Sequence, residues 1–159
     1  MSFMNTEIQT IISKLQDVLS GQPWYGKPVY ELLDEVNHDL QYVKPTLESH
    51  SLIDLLYHMV TWAEFAQKRI EKEPIQNMEA FNALDWRPID PDLHDWQKGV
   101  AALKTSHQKI VALMQTKDDA FLNETVDYRK YNFRYLLNGL IQHNVYHLGQ
   151  IAYVNKLLA

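Results

Sequence analysis

Cysteine is absent from this chain of 159 residues, which excludes disulfides and thiolate metal ligands. Any thiol chemistry performed here must therefore take its thiol from a substrate. No apolar run is long enough to cross a bilayer. The N-terminal stretch MSFMNTEIQTIISKLQ has neither the cationic start nor the unbroken apolar run of a signal peptide, so a cytoplasmic protein with no membrane partner is the expectation. A basic stripe is missing too: the formal net charge is −5, and lysines and arginines are scattered among acids. That argues against a general nucleic-acid binder, which needs clustered cations to neutralise phosphates. There is no glycine-rich phosphate loop and no nucleophile elbow. Nor do carboxylates pair on a core stripe, as a di-iron bundle of the Glu-x-x-His kind requires. No segment alternates with period two, and there is no internal repeat or low-complexity tract.

What the chain does contain is helical periodicity. Hydrophobic residues make up 46% and charged residues 22%, ordinary values for a globular protein, and the length predicts one domain over residues 1–159. Ile8, Ile11, Ile12, Leu15, Val18 and Leu19 predict a first helix over about residues 5–20, with Asn5 or Thr6 as its cap. Residues 21–28 are turn-rich and carry Trp24 and Tyr25, and a short helical piece over 29–35 follows. Ser51 and Asp54 form a capping-box pair ahead of a second long stripe through Leu52, Leu55, Leu56, Met59, Trp62 and Ile70. Residues 74–91 read as an irregular loop, and Asp92 as the start of a third long helix striped by Leu93, Trp96, Val100, Leu103, Ile110 and Met114. After a polar connection over 117–130, a last helix runs from about residue 132 to 158. Four long amphipathic helices with modest connections predict an all-α four-helix bundle.

Against that background the histidines stand out. His143 and His147 are one turn apart, which stacks their rings on one side of the last helix. His147 projects into the apolar stripe and His143 onto its edge. His58 holds the matching place in the second long helix, one turn after Leu55 and one turn before Trp62. Each alone reads as a core histidine bonded to a backbone carbonyl. Together they read equally as three ligands of one divalent metal, because two buried imidazoles double the desolvation cost unless something binds them. Asn144 also projects into the stripe and is a candidate partner for a ligand histidine. The pair is not the metalloprotease motif, since Asn144 stands where that motif has its glutamate. His107 reads as a core histidine, with a fourth ligand as the alternative. His38 and His94 read as surface residues, and His50 as a surface or capping residue near the mouth of any pocket. Trp62, Tyr146, Gln150 and Trp24 are candidates to line that pocket.

With those residues placed, the chain resembles the DinB-like metal-binding four-helix bundles, a superfamily that includes bacterial thiol-dependent S-transferases. The resemblance spans nearly the whole chain and rests on GQPWYG from Gly21 to Gly26, on HSLIDLLYHMVTW from His50 to Trp62, and on QHNVYHLGQI from Gln142 to Ile151. It implies that His58, His143 and His147 are the metal ligands. Similar proteins commonly carry Asp where this chain has Asn144, so the tuning of the metal is where this chain departs. The resemblance also implies a homodimer and a divalent metal, Zn or Ni first with Fe or Mn behind them. The implied activity is that of a metal-dependent enzyme of the thiol S-transferase or hydrolase type, joining a small-molecule thiol to an electrophilic substrate in the first case. The alternative is a non-catalytic dimeric stress-response or binding module with a structural metal.

Overall fold

A computed structural model describes residues 5–74 and 78–159. The architecture is all-helical. In chain order the helices are α1 (Thr6–Ser20), α2 (Val29–Glu35), α3 (Leu52–Glu71), α4 (Met78–Leu84), α5 (Trp96–Met114) and α6 (Phe133–Leu158), with short 3-10 turns at His38–Leu40 and Asp119–Asn123. α1, α3, α5 and α6 form the bundle: α3 packs along both α5 and α6, and α1 along α6. Among the described residues no strand forms beyond an isolated bridge between Thr125 and Asn132.

Each long helix buries most of the stripe that its periodicity announced, with Trp62 only half-buried and Leu93 the exception treated below. α1 buries Ile8, Ile11, Ile12, Leu15, Val18 and Leu19. α3 is the central helix, buried on most of its circumference, as expected of a helix with neighbours on two sides. The capping box at its start is present: the Ser51 hydroxyl accepts from the Asp54 amide, and the Asp54 carboxylate accepts from the Ser51 amide. At Gly99 α5 lies close against α3, since a Cβ there would stand 2.7 Å from Leu56 Cδ2 and 2.9 Å from Tyr57 Cε2.

Three expectations need correction. α1 is not capped by the Asn5 side chain. The Asp119 carboxylate, far along the chain, accepts from the amides of Glu7 and Ile8 at 3.1 and 2.8 Å and so satisfies the donors that open a helix. The residue that opens α5 is Asp95, three positions later than the expected Asp92, because Asp90 holds the preceding turn. Its side chain accepts from the Asp92 amide and its carbonyl from the Leu93 and His94 amides. Asp95 then caps the helix through the Lys98 amide, leaving Leu93 exposed. The third correction concerns residues 74–91, expected to be irregular, which contain α4. A seven-residue helix that buries only Phe81 is too short for a periodic stripe to register. Residues 75–77 of that segment lie outside the described residues.

Candidate metal centre

α3 and α6 bring three histidines to one point. His58 comes from the middle of α3, and His143 and His147 from consecutive turns of α6. One ring nitrogen from each lies within 4.8 Å of the others, and Nε2 of His58 and Nε2 of His143 are 3.1 Å apart. Neighbouring ligands of a tetrahedral zinc, each at about 2.0–2.1 Å, stand roughly 3.3 Å apart, so the spacing suits one shared cation.

The outer nitrogens decide which atoms face inward. His58 Nδ1 donates to Asp85, whose carbonyl oxygen and Oδ1 both lie at 3.0 Å. His147 Nδ1 donates to Gln150 Oε1 at 2.6 Å. With Nδ1 carrying the proton in both rings, both Nε2 atoms turn a lone pair toward the centre, that of His58 within hydrogen-bonding distance of His143 Nε2. His143 Nδ1 is buried and has no hydrogen-bond partner among the described residues. Two inward lone pairs at 3.1 Å repel unless a proton or a cation sits between them, and three neutral imidazoles are a donor set that suits a borderline divalent ion.

Burial keeps the rings neutral. Desolvation pushes the His58 and His147 pKa values below the usual imidazole value. For His143, desolvation together with the two neighbouring imidazoles pushes it down to about 3. The His58–Asp85 contact is accordingly a hydrogen bond from a neutral ring, with desolvation outweighing the carboxylate's pull. These histidines can take up a metal near neutrality without first losing a proton.

The segment after α4 supplies the remaining wall. Asp85 Oδ1 also accepts from Trp62 Nε1 at 2.7 Å, so one carboxylate orients a candidate ligand and a pocket tryptophan. The Trp86 indole is sandwiched between His58, at 3.9 Å and 7°, and His50, at 3.6 Å and 4°. Thr61 ties this segment to α3: its hydroxyl lies 2.8 Å from the Leu84 carbonyl and accepts from Arg87 at 2.6 Å. Neither Asp85 nor Trp86 was visible as a site residue in the sequence, because both sit in the stretch read as an irregular loop. The one available signal was a Trp beside an acid between two hydrophobic segments.

The three histidines open onto a cavity of about 420 Å³ lined by aromatic and aliphatic side chains. Trp62 and Tyr146 line it with them, and Tyr146 stands edge-on to His147 at 4.9 Å. Gln150 contributes through His147. Trp24 is placed elsewhere: its indole is fully exposed in the loop after α1, where the buried rings of Pro23 and Pro28 anchor the backbone. Asn144 is buried, but its amide donates to His107 Nε2 at 3.3 Å rather than to a member of the trio. One residue along α6 rotates a side chain by about 100°, which turns Asn144 from the His143 direction toward α5. His107 is completed by the Tyr30 hydroxyl at 2.9 Å from its Nδ1. Both of its nitrogens are thus engaged away from the trio, and burial holds its pKa down at about 3.

The sequence model of the DinB superfamily matches residues 29–151, a span that contains α2 to α5, most of α6, and all three histidines. No curated protein matches the chain.

Proposed function

Because the chain belongs to the DinB superfamily, we propose that it is a metal-dependent enzyme of the thiol S-transferase or hydrolase type, using His58, His143 and His147 to hold one divalent cation. Zn or Ni is the first choice of metal. The observation that carries this reading is the convergence of three neutral imidazoles, two with their outer nitrogens already bonded, at the end of a cavity large enough for a small molecule. A cation there would supply positive charge and an open coordination position, which makes a bound thiol or water more acidic.

The residues of the chain would do the rest. Asp85 and Gln150 fix the ring orientations of His58 and His147. Trp86 covers one face of the His58 ring, and Trp62 and Tyr146 shape the approach from the cavity. In a transfer, the thiol would lose its proton, its sulfur would bond to the electrophile, and the leaving group would depart with the bonding pair and take up a proton. The non-catalytic reading would be favoured by a fourth protein ligand closing the site, and His107 was the candidate; its bonds to Tyr30 and Asn144 support the enzymatic reading instead. The proposal carries with it a single domain over residues 1–159, a homodimer and a cytoplasmic location.

The test is a panel of thiol and electrophile pairs, and of simple esters and amides, incubated with metal-loaded protein and followed by mass spectrometry. Turnover is expected in the wild type and absent in His58→Ala. A wild type no faster than that variant across the panel rejects the enzymatic reading.

A further inference from the structure

The cavity beside the histidines has an unusual lining for a site expected to handle polar thiols. Phe65, Leu136 and Leu140 are buried and form its apolar body. Tyr135 and Tyr146, both largely exposed, stand at its edge. Among the described residues no Asp, Glu, Lys or Arg side chain lines it. Even the Trp62 indole N–H is unavailable to a ligand, being given to Asp85. Arg129 lies within 5.5 Å of the Phe65 ring and 6.0 Å of the Tyr131 ring but is not among the lining residues.

Charged groups are gathered in a second cavity of about 530 Å³ that includes Lys44, Asp54 and Arg87 in its walls. The two cavities share no lining residue. The Trp86 indole, stacked between His50 of the second cavity and His58 of the first, stands between them. Away from the metal position the polar side chains lining the cavity are those of Tyr131, Tyr135 and Tyr146, so a charged group on the remainder of a ligand would give up hydration with no lining charge to offset it, whereas an apolar remainder would gain from burial.

Gly139 sets the room available. It lies one turn before His143 on α6 and lines the cavity, and a Cβ added to it would meet no atom within 4 Å. Nothing in the packing of α6 requires glycine there, and glycine is a poor helix former. What its missing side chain provides is space next to the histidines.

We infer that this cavity takes an uncharged aromatic or aliphatic small molecule as the substrate presented to the metal centre, with Gly139 as the residue that determines how large it can be. The inference rests on the metal-centre reading of the same site. It is tested by calorimetric titration of metal-loaded protein with 2-phenylethanethiol and with 2-mercaptoethanesulfonate, which share a thiol but differ in the charge of the remainder. The phenyl compound is expected to bind at least tenfold more tightly. Gly139→Leu should lose that preference and Gly139→Ala should show a partial loss, both with wild-type metal content and undiminished thermal stability, since either residue favours the helix. Equal or stronger binding of the sulfonate, or an unchanged affinity for the phenyl compound in Gly139→Leu, overturns the inference. Metal content separates the two levels of failure. If the wild type takes up no metal, the metal-centre reading fails, and 2-phenylethanol against phenylacetate on the metal-free protein then decides the selectivity alone, with preference for the anion refuting it.

Discussion

Asp85 does two jobs with one oxygen, accepting from His58 Nδ1 at 3.0 Å and from Trp62 Nε1 at 2.7 Å. Carboxylates behind a ligand imidazole fix its tautomer and raise its basicity, and their loss typically weakens metal binding by roughly ten- to hundredfold. Asp85→Asn keeps the size and an oxygen acceptor for Trp62 but removes the charge. Competition against a chromophoric chelator should register a loss of affinity in that range with helicity unchanged. Affinity equal to the wild type would mean that the Asp85 backbone carbonyl, also 3.0 Å from Nδ1, orients the ring without help. Asn144 teaches the complementary lesson. Its burial on the α6 stripe was legible, but its partner depends on whether it faces His58 on α3 or His107 on α5, and one position in a 26-residue helix decides that.

At the scale of elements, the long helices were legible because each buries a continuous stripe, and the ligand candidates were legible because they ride on two of those stripes. What escaped was short or non-local. α4 buries one side chain, and the Asp119 cap on α1 spans 111 and 112 positions in sequence, beyond the reach of any local pattern. The wall made by Asp85 and Trp86 was missed for the same reason: it is set by the bonds of Thr61 to the segment that follows α4. The contact of α3 with α5 makes a stability prediction of its own. A side chain at Gly99 would drive into Leu56 and Tyr57, both on the buried face of α3. Gly99→Val should therefore destabilise the protein by about 1–3 kcal/mol, read from the denaturant midpoint. A midpoint at or above the wild-type value would show that the helices part without cost.

The whole molecule should feel acid through its buried imidazoles. His107 is wholly buried, and its folded-state pKa of about 3 lies far below the ordinary 6.5. Folding therefore favours the neutral ring. Between those values the unfolded chain binds more protons than the folded one, so stability is full above pH 6.5 and is lost as pH falls toward 3. His143, also pushed down to about 3, adds to the same window. In metal-free protein the urea midpoint should be level above pH 7 and decline steadily below 6.5. His107→Gln, which offers the same neighbours an amide that does not titrate, should show a shallower decline. An equally steep decline in that variant would assign the acid sensitivity to other groups.

One measurement goes most directly to the claim that α3 and α6 exist in this arrangement to hold a cation between three imidazoles. It is the metal content of tag-free protein, taken for the wild type and for His58→Ala, His143→Ala and His147→Ala, with circular dichroism of each. One equivalent per chain is expected in the wild type and close to none in every variant, with helicity largely intact. Metal content unchanged by His147→Ala, or absent from the wild type even after incubation with Zn and Ni, would contradict the account.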